Sequence, residues 1–166
     1  RGAALMYAAR WLVAGLLLTA ALAARAQDDD WNGFDVSGLA MPREGLANGG
    51  QPRDGIPALD APKFSPGKET GVGFEERVVG VVIGGVARAY PRRVLVWHEV
   101  VNDRIGEQPF VLVYSPLSGT VAAFDTRSAK GAQQFGVSGL VYNSGTLLFD
   151  RASASLWLPL EGVAIA

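Results

Sequence analysis

From Arg77 onward the chain is divided into short apolar runs separated by glycine, proline or serine, and no other feature restricts its fold as much. Val78-Val-Gly-Val-Val-Ile83 and Val86-Ala-Arg-Ala-Tyr90 flank Gly84-Gly85, a turn pair that accepts positive φ, so a β-hairpin is expected there. Phe110–Tyr114 is bounded by Gly106 and Pro109 before it and by Pro116 and Gly119 after it, and Thr120–Phe124 follows, which reads as strand, tight loop, strand. Gln133–Val137, Leu140–Tyr142, Thr146–Phe149 and Leu156–Leu158 continue the series, and Glu99–Asp103 is strand-like. Only Arg92–Trp97, opened by Pro91 and carrying Val94 and Leu95, suggests one helical turn or two. The expected fold is mainly β, α+β at most: one compact domain at 75–166 of short antiparallel strands and hairpins with one short helix.

The residues ahead of this domain have a different texture. Residues 1–26 carry Arg1, Arg10 and Arg25, no acid, and an apolar run from Trp11 to Ala24. That run is shorter than the ~20 residues needed to span a bilayer, and Ala24-Arg25-Ala26 is a small-x-small site before Gln27. A signal peptide cleaved after Ala26 is expected, which places the protein in the periplasm or outside the cell. An uncleaved N-terminal membrane anchor is the competing reading. Residues 27–74 are rich in Asp, Gly and Pro without sustained apolar period, and read as an extended arm lying on the domain.

Without residues 1–26, 12 basic side chains face 16 acidic ones, a formal charge of about −4. No basic stripe remains to neutralise phosphates, so nucleic acid is not an expected partner. The chain has no cysteine, so stability outside the cytoplasm must come from packing.

Chemistry has few places to reside. His98 is the only histidine, the one side chain whose ordinary pKa lies near neutrality, and it sits in Trp97-His98-Glu99. A structural histidine bonded to backbone competes with the catalytic reading. One histidine and no thiol fall short of a zinc ligand set, and no Asp-x-Asp-x-Asp-Gly calcium loop occurs, so neither metal nor cofactor is expected. Ser115, Ser118 and Ser138 lie on predicted loops, where a serine with His98 as base would suit hydrolysis. Gly136-Val-Ser138-Gly139-Leu140 lacks the last glycine of a nucleophile elbow, so turn formation is the simpler reading. Tyr114, Tyr142, Asn143 and Ser144 flank the same loops and bring hydroxyl and amide groups. Ser118-Gly-Thr120 and Ser144-Gly-Thr146 echo one another, which two similar turns feeding two strands explain.

Several ordered blocks carry a family resemblance: Asp54-Gly-Ile-Pro-Ala-Leu-Asp60 with Pro62-Lys-Phe64, Ala87-Arg-Ala-Tyr-Pro91, Trp97-His-Glu99 with Asn102-Asp103, Tyr114-x-Pro-Leu-x-Gly119, Phe135-Gly-Val-Ser-Gly-Leu140 with Tyr142-Asn-Ser144, and Asp150-Arg151 with Leu156-Trp157. Over residues 54–166 the chain resembles the bacterial family called domain of unknown function 3179. The resemblance implies an exported or membrane-anchored protein with no assigned activity. It also implies that many relatives carry cysteines where Ser115 and Ser118 stand, a pair suited to thiol redox work or soft-metal binding, which serine is not. Relatives are expected to continue past Ala166, so a truncated chain with an exposed sheet edge is a further expectation.

Two functions are compatible with these residues. The first is a domain that binds a small molecule or an envelope protein through a polar pocket built from His98, Glu99, Ser115, Ser118, Tyr114, Ser138, Tyr142, Asn143 and Ser144. The second is a hydrolase-type enzyme with His98 as general base and Glu99, Ser115 and Ser118 as its companions. A purely structural member of the cell envelope is a third reading.

Overall fold

The run Phe110–Tyr114 is apolar at every position because the strand that contains it is covered on both faces. In the computed structural model, which describes residues 31–166, this strand pairs antiparallel with its predecessor: β5 is Val100–Ile105 and β6 is Gln108–Tyr114. Side chains alternate across a strand, so Val101, Ile105, Phe110, Leu112 and Tyr114 point one way while Val100, Val111 and Val113 point the other. A strand buried on both faces shows a continuous apolar run rather than alternation. The expected signal peptide at 1–26 and the first residues of the arm lie outside the described residues.

On the first face, the hairpin of β3 (Val78–Ile83) and β4 (Val86–Pro91) packs Val79, Val81, Ile83 and Tyr90 inward, joined by Leu95 of a short α-helix, α1 (Arg92–His98). The hairpin turns at Gly84-Gly85, with φ of 56° and 80°, where a Cβ is disfavoured. On the second face, Phe135, Val137 and Leu148 come from another sheet. Its strands are β10 (Phe135–Tyr142), β11 (Gly145–Asp150), β12 (Leu156–Leu158) and β13 (Val163–Ala164), with β1 (Leu46–Asn48) on the far edge, in the order β1-β10-β11-β12-β13. The central sheet runs β2-β5-β6-β7, where β2 is Leu59–Asp60 and β7 is Val121–Asp125. A small hairpin of β8 (Arg127–Ser128) and β9 (Gly131–Ala132) follows β7. Among the described residues the fold is thus β-rich and antiparallel with one short α-helix, as expected, apart from the parallel pair β2–β5.

Two details differ from the sequence reading. Gln133–Val137 and Leu140–Tyr142 are not separate strands: β10 runs through both, and its register against β11 shifts between Val137 and Val141. The irregularity is a bulge in which Gly139 takes φ +76° and the buried Ser138 hydroxyl donates to the Leu147 carbonyl at 2.7 Å and accepts from the Leu140 N–H at 3.0 Å. The arm, moreover, contributes strands. β1 adds to the edge of β10 and β2 to β5, and Gly49 and Asp54 donate backbone N–H groups to the carbonyls of Gly139 and Val137 at 2.8 and 2.9 Å.

Two polar side chains of β5 tie these pieces together. Asn102 of β5 donates to Asp60 Oδ1 at 2.7 Å and to the Phe135 carbonyl at 2.8 Å, and accepts from the Phe135 N–H at 2.9 Å, so one amide joins β2, β5 and β10. Asp103 Oδ2 receives Arg88 Nη1 and the Tyr90 hydroxyl, both at 2.6 Å, and so holds β4 to β5. Burial and this bond to the carboxylate push the Tyr90 hydroxyl well above the usual phenol range.

Candidate ligand site

Loop closure at the end of β6 positions the first wall of a cavity. Ser115 N–H donates to the Thr120 carbonyl at 2.9 Å and Gly119 N–H to the Ser115 carbonyl at 2.8 Å, which folds Ser115–Thr120 into a tight turn. The β10–β11 hairpin supplies the second wall. Its two loop residues, Asn143 and Ser144, have φ of 46° and 67°, the left-handed pair of a two-residue hairpin turn, and Thr146 follows in β11. Leu158–Glu161, after β12, and Met41 from the arm close the rest. The enclosed volume is about 280 Å³. Met41, Val113, Ala122, Leu158, Pro159 and Leu160 give it an apolar lining, and Ser115, Ser118, Thr120, Tyr142, Asn143, Thr146 and Glu161 place polar groups in it. Leu160 is 67% exposed, an apolar side chain held at the mouth of the cavity.

A chain of polar groups runs from this cavity into the protein. Ser115 is 3% exposed, its Oγ lies 3.3 Å from Thr146 Oγ1, and Thr146 Oγ1 donates to Glu99 Oε2 at 3.0 Å. Glu99 does not line the cavity; its carboxyl stands behind Thr146. Burial pushes that carboxyl above the usual range, and the Thr146 hydrogen bond brings it part of the way back. Its backbone is unusual too. At the C-terminal end of α1, Glu99 takes φ 57° and ψ −37°, a conformation that costs a side-chain-bearing residue about 1–3 kcal/mol. The position is held from both sides: Glu99 N–H donates to the Leu95 carbonyl at 2.8 Å, and its carbonyl accepts Tyr114 N–H at 2.7 Å.

Of the residues singled out in the sequence, Ser115, Ser118, Tyr142 and Asn143 line the cavity, and Glu99 reaches it through Thr146. The others lie elsewhere. His98 Nδ1 is 2.8 Å from the Pro57 carbonyl, an oxygen that only accepts, so this nitrogen carries the proton; His98 does not line the cavity. Tyr114 packs in the core against Leu95 and Leu112. Ser138 is fully buried in the β10 bulge, and Ser144 belongs to the hairpin turn. Within the cavity, Tyr142 anchors the arm by donating its hydroxyl to the Pro42 carbonyl at 3.1 Å, and Ser118 Oγ donates to Thr120 Oγ1 at 2.8 Å.

Sequence reasoning missed Met41, Thr120, Thr146 and Leu158–Glu161. For the two threonines a signal existed: the Ser-Gly-Thr echo places Thr120 and Thr146 on facing walls of one cavity. Met41 and Leu158–Glu161 carry no such mark, since only tertiary closure brings them there. Among the described residues, no three His, Cys, Asp or Glu side chains gather in a way that could hold a metal ion, and no helix is long and apolar enough to cross a membrane.

Layered, mostly antiparallel sheets flanking a cavity backed by a half-buried carboxyl define a small β-rich domain with a candidate site beside the central sheet. The chain belongs to the family described as protein of unknown function, DUF3179, which it matches over residues 53–166. No curated protein and no solved structure matches it.

Proposed function

We propose that this domain is an exported binding module for a small organic molecule, held in the cavity between the Ser115–Thr120 loop and the β10–β11 hairpin. The observation that carries this reading is the cavity itself: about 280 Å³, apolar on several sides, with a few converging hydroxyl and amide groups. Ligand sites characteristically combine an apolar body with a small number of placed polar groups. Leu160 at the mouth adds apolar surface that a ligand would cover. Export is supported by the short arginine-flanked apolar run and the small-x-small site before Gln27.

Melting of the purified mature chain against a fragment library tests the binding reading, because a ligand that prefers the folded form stabilises it by about 2.7 kcal/mol at a hundredfold excess over Kd. Fragments should raise the melting temperature of the wild type and lose that effect in Ala122→Phe, whose ring would occupy the cavity. Equal shifts in the folded variant and the wild type would place binding elsewhere and overturn the proposal.

A further inference from the structure

The direction in which the buried hydroxyls point their protons restricts what the cavity can hold. An ionised carboxylate only accepts hydrogen bonds, so the single hydroxyl proton of Thr146 goes to Glu99 Oε2, 3.0 Å away. Thr146 Oγ1 then has no proton left for its contact with Ser115 Oγ at 3.3 Å, and Ser115 must supply that one. With its proton turned to Thr146, Ser115, almost wholly buried and lining the cavity, presents lone pairs to a ligand. On the rim stands Glu161, another acceptor, and no lysine, arginine or histidine lines the cavity to compensate.

We infer that the ligand is a small organic ammonium compound: an apolar body against Val113, Ala122 and Leu158, with a protonated amine donating to Ser115 Oγ and facing Glu161. This inference rests on the cavity being a binding site and adds the chemical class of its occupant. An anion would meet acceptor lone pairs and a carboxylate, with the Asn143 amide and the Thr120 hydroxyl, which accepts from Ser118 Oγ, as the lining side-chain donors left to it. A neutral alcohol would keep one donated hydrogen bond but lose the charge assistance, which roughly doubles the strength of such a bond.

Benzylammonium, benzyl alcohol and benzoate share one ring and differ in the polar head, so titrating each into the mature chain near neutral pH, followed through the backbone amide resonances of Ser115, Thr120, Asn143 and Thr146, separates the cases. The expected order is ammonium, then alcohol, then benzoate, with at least a tenfold gap between the first and the last, the scale of one charge-assisted hydrogen bond. Glu161→Gln, an exposed change that leaves the core untouched, and Thr146→Val, which cuts the hydroxyl chain, should each narrow that gap. Thr146→Ser should restore it. Benzoate or the alcohol binding as tightly as the ammonium would overturn the ligand class while leaving the cavity as a binding site. If none of the three perturbs these amides, both the class and the binding reading fall.

Discussion

Replacing Asn102 by alanine should destabilise the domain by about 3–5 kcal/mol, because this amide completes the edge of another sheet. β1 covers only the far end of β10, from Leu140 to Tyr142, and Gly49 and Asp54 satisfy the carbonyls of Gly139 and Val137. At Phe135 no strand is available. The Asn102 side chain takes its place, accepting the Phe135 N–H at 2.9 Å and donating to its carbonyl at 2.8 Å. Phe135 has no exposed surface, so alanine leaves two buried backbone groups unpaired, at about 1–3 kcal/mol each. The lost bond to Asp60 adds little, since Asp60 is part-exposed and keeps its ion pair with Arg151 at 2.8 Å. Urea denaturation measures the effect as a lower midpoint at constant slope. Asn102→Asp keeps an acceptor for the Phe135 N–H, but turns a carboxylate toward the Phe135 carbonyl and Asp60. It should therefore be as harmful as alanine at neutral pH and recover in acid. A loss under about 1 kcal/mol for the alanine variant, with unchanged slope, would show that water replaces the amide and refute the reasoning.

Glu99 should give the domain a distinctive pH dependence. Burial raises its carboxyl in the folded chain, so the folded state holds this proton more tightly than the unfolded state. Its contribution is fully present below the unfolded glutamate pKa, about 4.3, and is lost as pH rises through the higher folded value. Glu99→Gln keeps an acceptor for Thr146 and should abolish that component; a difference between wild type and variant that stays flat across this range in urea titrations would contradict the assignment. Gly139→Ala should cost well over ~1 kcal/mol, since φ is +76° and a Cβ would run into the Gln51 carbonyl. Hydrogen exchange should quicken first at Gly49 and Asp54, whose N–H groups bond to β10 beside the bulge; unchanged protection there would argue against the arm being clamped at this point.

Much of the fold was legible because local chemistry and global packing agree. Gly84-Gly85 between two β-branched runs could hardly be anything but a hairpin, and Phe110–Tyr114 is apolar throughout because both faces of β6 are covered. The arm shows the opposite case. β1 and β2 are three and two residues long, too short to display a period, and they exist because β10 and β5 present free edges to pair with. The break between Val137 and Leu140 misled for a related reason: Ser138-Gly139 is good turn chemistry, and here it makes a bulge within a single strand.

The site was legible where the loops themselves carry it and obscure where it depends on distant parts of the chain. Ser115, Ser118, Tyr142 and Asn143 announce themselves as polar groups on inter-strand turns. The link from Ser115 to Glu99 passes through Thr146, 31 residues from the serine and 47 from the glutamate, so no local pattern could reveal it. The two positions where the family resemblance implies cysteines in many relatives, Ser115 and Ser118, both line this cavity, one buried at its floor and one exposed on the loop. Thiol and hydroxyl differ in size, acidity and hydrogen-bonding strength, whereas the cavity's place between β6, β7 and β11 is fixed by backbone pairing. In this chain the hydroxyl at the floor is oriented by a carboxylate behind it, so the acceptor character of the site follows from Glu99 and Thr146 as much as from Ser115.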